Sequence, residues 1–176
     1  MQVQFRRQKK VIGQAALAAL SQADHELFAT IAERRKKRQN SLVMVVDDDE
    51  ISRVLATNVI GKKYEWISVE DGQHALSTYI THAPDAIILD IGLPDIDGHE
   101  VLECVSYIDP EAYVVMYSKH NEEKDVLLAI EEGAQGFVIK PFKREKLFHY
   151  IDRSPHLIEK KRQLEEWEKT GRRPDD

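Results

Sequence analysis

The chain has 176 residues, of which 42% are hydrophobic and 32% are charged, and its formal net charge is −6. This length allows one domain of ordinary size with extensions, and the composition is typical of a globular protein. A single cysteine excludes an internal disulfide framework and favours a reducing compartment. No apolar run approaches the length of a membrane span, and the polar N-terminus is a poor signal peptide, so a cytoplasmic location is expected.

The charge is distributed unevenly along the chain. Residues 1–40 contain nine basic and three acidic residues, whereas residues 41–152 contain nine basic and twenty-two acidic ones. An acidic middle region argues against direct nucleic-acid binding by that region and is compatible with a cation site. The basic N-terminal segment, the acidic region and residues 153–176 are therefore treated as three parts.

The first forty residues predict a helix, because Leu17, Leu20, Leu27, Phe28 and Ile31 fall near helical spacing. A basic run, residues 34–38, lies at the end of this helix. One interpretation is that these cations complement the helix dipole in a solvated segment. The other is that they contact an acidic partner or nucleic acid.

Five apolar runs alternate with helical patterns through the middle of the chain. The runs cover residues 42–46, 65–69, 86–90, 113–118 and 136–140. They are continuous rather than alternating in polarity, which indicates strands of a parallel sheet that is covered on both faces. The intervening helices are predicted at 51–60, 72–82, 99–108 and 123–132, with a fifth from Arg144. Strict alternation of this kind predicts a right-handed, doubly wound α/β fold with a five-stranded parallel sheet.

Two of the helices carry a predicted buried stripe. In the helix at 123–132, the stripe is formed by Val126, Leu127 and Ile130. A final helix begins at Ser154 and Pro155, with serine as the N-cap and proline in the first turn. Its stripe would consist of Leu157, Ile158, Leu164 and Trp167. The terminal GRRPDD sequence predicts a helix stop followed by disorder.

Acidic side chains follow two of the predicted strands. Asp47 and Asp48 come after the first strand, and Asp90 ends the third. Because the carboxyl ends of parallel strands meet at one edge of the sheet, these carboxylates are expected to converge. Their mutual repulsion calls for a cation, and oxygen ligands favour Mg²⁺. The alternative interpretation is a set of helix N-caps.

The last two strands end in groups that complement a phosphoryl group. Ser118 closes the fourth strand with a hydroxyl, and Lys140 closes the fifth with a positive charge. A hydroxyl donor and a cation suit the oxygens of an acyl phosphate.

Four motifs together resemble the receiver domain of two-component response regulators: VVDDDE, DAIILDIGLPDIDG, VVMYSK and GFVIKPF. The resemblance covers residues 41–152 and implies a flavodoxin-like sheet of strand order 2-1-3-4-5. It implies that Asp90 is the phosphoacceptor. It also implies that Mg²⁺ (or Mn²⁺) is held by Asp48, Asp90 and the backbone carbonyl of Gly92, with Asp47 acting mainly through water.

The resemblance also assigns roles near the ends of the last two strands. Ser118 and Lys140 take the positions of the family's hydroxyl residue and invariant lysine. Phe137 matches the aromatic switch position, and the Lys140–Pro141 bond matches a cis peptide. A phosphorylated carboxylate would draw Ser118 inward and allow Phe137 to rotate.

The resemblance further implies a signalling role rather than an enzymatic one, apart from the domain's part in its own phosphorylation and dephosphorylation. A sensor histidine kinase or a histidine phosphotransfer protein would supply the phosphoryl group. Only 24 residues follow the matched region, so direct DNA binding is not expected and the output would be protein contact. The terminal helices are candidates for homodimerisation, and no membrane partner is expected.

Two other functions remain as alternatives. One is a phosphorylation-independent scaffold that keeps the receiver fold, and the other is an aspartyl-phosphate hydrolase. The hydrolase is disfavoured because Gly92 occupies the position of the second acid. Lys119, His120 and Gly92 are unusual neighbours of the site and leave the phosphoryl lifetime undecided; for Lys119, an exposed orientation and a contact with the site both remain open.

Overall fold

The computed structural model describes residues 14–119 and 123–171, without the side chains of residues 14–25 and 123. Its strands are β1 Leu42–Val46, β2 Glu65–Val69, β3 Ala86–Asp90, β4 Val114–Ser118 and β5 Gly136–Ile139. Its helices are α1 Gln14–Lys37, α2 Glu50–Ile60, α3 Gly72–His82, α4 Gly98–Ile108, α5 Glu123–Glu131, α6 Arg144–Ile151 and α7 Pro155–Thr170. The predicted segments therefore agree with the observed ones to within a residue at each described end of the β-α units.

The five strands form one parallel sheet in the order β2-β1-β3-β4-β5. Every residue of β1, β3 and β4 is buried, as their continuous apolar sequences predict. The doubly wound fold and its strand order are thus confirmed.

Alternate strand residues build two core layers, one on each face of the sheet. Met44 and Val46 join the layer under α3, α4 and α5, to which α1 adds Ile31. Val43 and Val45 join the layer under α2 and α6, to which α7 adds Leu157. Both terminal helices therefore contribute fully or almost fully buried side chains to the core.

The predicted buried stripes of two helices are wrong at most positions, although Val126 of α5 packs, partly buried, against the core. In α5, Leu127 and Ile130 are 54% and 58% exposed, and Ala129 is the buried residue. The small alanine allows the helix to approach the sheet closely, which turns the larger side chains outward. In α7, Leu157 is buried, but Ile158 is 55% exposed because it faces away from the sheet. Leu164 and Trp167 are also exposed because the later turns of the helix extend past the core.

The three arginines of the basic run at the end of α1 contact the rest of the fold, whereas Lys36 and Lys37 are exposed. Arg34 donates to the Ile80 carbonyl, and Arg38 donates to the Ala83 carbonyl and the Asp85 carboxylate. Arg35 is only 4% exposed. The three arginines thus fasten α1 to the α3–β3 region, which neither interpretation of the run included, whereas the exposed Lys36 and Lys37 fit the solvated segment.

Asp85, which directly precedes β3, joins both extensions to the sheet. Its Oδ2 accepts from Arg38 of α1, from Lys160 of α7 and from the Leu42 N–H, and the residue is fully buried. Ser154 stands at the N-cap position of α7, but its hydroxyl donates to the Asp85 carbonyl instead of capping the helix. The predicted side-chain cap is therefore wrong.

None of the helices in residues 14–119 and 123–171 combines the length and apolar character that crossing a membrane requires. His120, the terminal RRPDD sequence and the side chains of Leu17 and Leu20 lie outside the described residues.

Candidate functional site

The loop between β1 and α2 separates the acidic residues into different roles. Asp49 is the N-cap of α2, and its carboxylate accepts from the Ile51 and Ser52 N–H groups. The N-cap interpretation therefore fits Asp49. It leaves Asp47, which is fully buried, and Asp48, which is exposed, for another role.

Asp47, Asp48 and Asp90 lie together at the carboxyl edge of the sheet. Each offers a carboxylate oxygen, and these oxygens lie within 4.8 Å of one another. The convergence arises because β1 and β3 are neighbouring parallel strands whose ends share one edge. An all-oxygen donor set with three carboxylates suits a hard divalent cation such as Mg²⁺.

Lys140 connects two of these carboxylates. Its Nζ lies 2.8 Å from Asp47 Oδ2 and 3.0 Å from Asp90 Oδ2, and its side chain is only 5% exposed. The lysine reaches them because β5 delivers it to the same edge of the sheet. A fixed cation beside Asp90 is placed to neutralise negative charge that is brought to that carboxylate.

Burial raises the pKa of Asp90, and the neighbouring Asp47 carboxylate raises it further, whereas Lys140 acts in the opposite direction. The net shift is upward from the ordinary value of 3.8. The site thus contains more negative charge than one lysine compensates, which is the electrostatic condition that an added cation would relieve.

Asp47 is held by more donors than the sequence indicated. Its Oδ1 accepts the Asp49 N–H, and its Oδ2 accepts the Tyr117 hydroxyl as well as the Lys140 ammonium group. Arg53 donates to its backbone carbonyl at 2.6 Å. Tyr117 and Arg53 were not singled out from the sequence, because a core tyrosine and a helix arginine carry no motif of their own.

Lys119 forms an ion pair with Asp49 across the loops beside the site, with 2.8 Å between Nζ and Oδ2. Its side chain is 63% exposed. Hydrogen bonding from Lys119 and from backbone N–H groups lowers the pKa of Asp49 to about 2. Lys119 therefore contacts the β1–α2 loop and is also largely exposed to solvent.

The remaining predicted residues lie around this cluster. Ser118 is buried at the end of β4, and Phe137 is buried in the core layer under α5. The Lys140–Pro141 peptide bond is cis. Gly92 is exposed, and a side chain at this position would meet no atom within 4 Å.

The turn after β3 depends on a second glycine. A Cβ atom at Gly98 would lie 2.7 Å from Ile91 Cα and would also collide with the backbone of Asp90. The Gly98 N–H donates to the Ile91 carbonyl at 2.8 Å. Gly98 therefore packs directly against the backbone that carries Asp90.

An open groove of about 420 Å³ lies between α2 and the loop after β5, and its lining includes Lys119 and Lys140. Its wall includes Leu55 and Val59 on one side and Pro141 and Phe142 on the other. The groove gives a neighbouring molecule a partly apolar surface next to Lys140.

Comparison with known proteins places this site in a family. The sequence model described as "Response regulator receiver domain" matches residues 43–152. The chain is 30% identical over 114 residues to the chemotaxis protein CheY of Bacillus subtilis, covering 64% of this chain and 95% of that protein. It is 36% identical over 104 residues to the alkaline phosphatase synthesis transcriptional regulatory protein PhoP of the same organism, covering 58% of this chain and 43% of that protein.

Solved structures agree with the sequence comparison. The receiver domain of NtrX from Brucella abortus aligns with a TM-score of 0.62 at 32% identity, covering 66% of this chain and 98% of that one. A CheY-like receiver domain protein from Methanospirillum hungatei aligns with a TM-score of 0.63 at 21% identity, which shows the fold alone; it covers 70% of this chain and 98% of that one. The chain therefore belongs to the response regulator receiver domain family of two-component signalling proteins.

Proposed function

We propose that Asp90 accepts a phosphoryl group in a Mg²⁺-dependent reaction and that the phosphorylated chain signals by protein contact. The observation that carries this proposal is the contact between Lys140 and both Asp47 and Asp90 at the strand ends. A carboxylate beside a fixed cation, with acidic neighbours that suit a metal ion, is a competent covalent acceptor.

In the proposed reaction, an Asp90 carboxylate oxygen forms a bond to phosphorus while the bond between phosphorus and the donor breaks. Asp48, Asp90 and the Gly92 carbonyl would hold Mg²⁺ or Mn²⁺, with Asp47 acting mainly through water. The cation supplies neutralisation of the charge on the transferred group. Lys140 adds a second positive charge at the same carboxylate, and Ser118 offers a hydroxyl to a phosphoryl oxygen.

The proposed donor is a sensor histidine kinase or a histidine phosphotransfer protein. The groove between α2 and the loop after β5 supports this choice, because it offers a donor protein a partly apolar surface that includes Lys140. Transfer would be followed by an inward movement of Ser118 and a rotation of Phe137, which would change the surface near α5 and β5. This is a population shift that the phosphoryl group biases.

The test is incubation of the protein with acetyl phosphate, with and without Mg²⁺, followed by intact-mass measurement. We expect one phosphoryl group to be added only with Mg²⁺, and we expect the bond to be stable in acid and labile in base. Asp90→Asn should remove the adduct. An unmodified wild-type protein, or an adduct that persists in Asp90→Asn, would favour the phosphorylation-independent scaffold.

We also propose that the terminal helices mediate homodimerisation, and that neither DNA nor a membrane is a direct partner. The supporting observation is that Leu164 and Trp167 are 52% and 38% exposed on the later turns of α7. A cytoplasmic location, a role without classical enzymatic turnover and the division into parts 1–40, 41–152 and 153–176 complete the proposal.

A further inference from the structure

Tyr117 occupies an unusual place beside the proposed phosphorylation site. It precedes Ser118 in β4, pairs with Asp90 of β3 in the sheet register and is fully buried. Its side chain lies in the core layer under α2 and α6. The ring packs edge-on against Phe142, with 6.2 Å between the ring centroids. The hydroxyl of this core tyrosine nevertheless ends at the cluster of charges.

The tyrosine contacts two of the charged side chains at once. Its hydroxyl donates to Asp47 Oδ2, which is also the oxygen that Lys140 approaches at 2.8 Å. The Lys140 ammonium group lies 4.1 Å from the centroid of the tyrosine ring. A hydrogen bond to an ionised acceptor and a desolvated cation–π contact are both among the stronger non-covalent interactions in proteins.

The donor role of the hydroxyl is well defined. The ordinary pKa of a tyrosine hydroxyl is about 10. The phenol therefore keeps its proton at neutral pH and donates to the carboxylate. The carboxylate is then fixed on both sides, since its Oδ1 accepts the Asp49 N–H.

We propose that Tyr117 is a positioning residue that fixes Asp47, and with it Lys140, in the orientation needed for cation binding. This inference rests on the proposed function of the site. Without the hydroxyl, Asp47 Oδ2 would retain the hydrogen bond from Lys140, which Asp90 shares. The Asp47 carboxylate could then turn away from Asp90 and Asp48. A carboxylate that must be ordered during cation binding binds more weakly than one that is already ordered.

The experiment compares Tyr117→Phe with Tyr113→Phe in the full-length chain. Tyr113 is a matched control, because it is a buried tyrosine that adjoins the same strand and donates to the Tyr150 carbonyl, away from the site. Titration calorimetry measures the Mg²⁺ dissociation constant of each protein. We expect Tyr117→Phe to bind Mg²⁺ on the order of 3- to 10-fold more weakly, and Tyr113→Phe to match the wild type.

Acetyl phosphate kinetics give a second readout that a purely structural defect would not produce. In Tyr117→Phe, the Mg²⁺ concentration for half-maximal phosphorylation should rise by the same factor. The rate at saturating Mg²⁺ should stay within about twofold of wild type, because the variant keeps the ring under Lys140. A rate loss that saturating Mg²⁺ does not restore would overturn the proposed role.

A double-mutant cycle with Asp47→Asn tests whether the tyrosine acts through this carboxylate. Tyr117→Phe should produce no further weakening of Mg²⁺ binding in the Asp47→Asn background. An equal weakening in both backgrounds would contradict the proposal, as would equal Mg²⁺ affinities of Tyr117→Phe, Tyr113→Phe and the wild type. Absence of any phosphoryl adduct on the wild type would instead contradict the proposed function, and the Mg²⁺ affinities could still be compared.

A measurement on the wild-type protein does not depend on how the variants fold. With ¹³C-labelled tyrosine, the Cζ resonance of Tyr117 should shift on addition of Mg²⁺, and that of Tyr113 should not. Unchanged resonances for both residues would refute the link between the Tyr117 hydroxyl and the cation site.

Discussion

Replacing Arg35 by alanine tests how firmly α1 is fastened to the receiver domain. Arg35 Nη2 forms an ion pair with Asp109 and a hydrogen bond with the Tyr79 hydroxyl, and its Nε donates to the Pro84 carbonyl at 3.1 Å. The side chains of Arg35 and Asp109 are 5% and 0% exposed. The substitution would leave the Asp109 carboxylate buried without its cation, with Tyr79 as its remaining side-chain donor.

The expected loss of stability follows from this burial. Removing one partner of a buried ion pair typically costs about 3 to 5 kcal/mol, because the other charge stays desolvated. Unfolding a domain of this size in urea has a slope of about 2 kcal/mol per molar. The urea midpoint should therefore fall by about 1.5 to 2.5 M. A domain in the upper part of the ordinary range, with a stability of about 8 to 15 kcal/mol, would still fold.

The assay is urea denaturation followed by circular dichroism, with Lys37→Ala as the control. Lys37 lies on the same helix, but its side chain is 76% exposed and pairs with Glu33 in the preceding turn. That pair contributes about 0.3 to 0.5 kcal/mol, so the urea midpoint of Lys37→Ala should barely differ from that of the wild type. Adding Asp109→Asn to Arg35→Ala should recover part of the loss, because it removes the uncompensated charge. Equal midpoints for Arg35→Ala and Lys37→Ala would refute the reasoning.

Four further outcomes are expected. Without Mg²⁺, Asp90→Asn should have a higher urea midpoint than wild type, because burial and the neighbouring Asp47 disfavour the ionised Asp90 carboxylate. Addition of Mg²⁺ should raise the midpoint of the wild type more than that of the variant. Gly98→Ala should lower stability by about 1 to 3 kcal/mol and slow phosphorylation, as measured by denaturation and intact mass. Burial lowers the pKa of Lys160 to about 8, so the urea midpoint of the wild type should rise relative to that of Lys160→Met between about pH 8 and 10, where the wild-type lysine deprotonates on folding. Leu164→Glu should convert a dimer to a monomer in sedimentation velocity; an equal distribution in both proteins would contradict dimerisation through α7.

The central strands of the sheet could be predicted because they are buried on both faces, whereas the edge strand β2 is partly exposed. A segment such as residues 86–90 must be apolar throughout when helices cover both sides, so its sequence alone indicates its environment. The sequences of the helices indicated less clearly which of their side chains are buried. In α5, the large Leu127 is exposed and the small Ala129 is buried, because close approach to the sheet favours a small side chain.

The carboxylates could be predicted because strand ends in a parallel sheet share one edge. Asp47 and Asp90 are 43 residues apart in sequence but adjacent in space, as the alternation of strands and helices required. Tyr117 could not be found in this way, because its position in a strand predicts burial and gives no information about where the hydroxyl ends. Arg35 was hidden for a related reason, since a basic run is usually solvated and its partner Asp109 lies at the far end of another helix.

The positions of Asp90 and Asp85 at opposite ends of β3 constrain how a phosphoryl signal would leave the site. Asp90 ends β3, and Asp85 immediately precedes the same strand, so the two lie about 16 Å apart along an extended chain. The terminal helices are fastened at the Asp85 end and are therefore remote from the reacting carboxylate. By contrast, β5 carries Lys140 at its end, and the neighbouring surface exposes Leu127 and Ile139. A change at Asp90 is thus expected to reach the α5–β5 surface first, whereas the terminal helices hold the opposite edge of the sheet fixed.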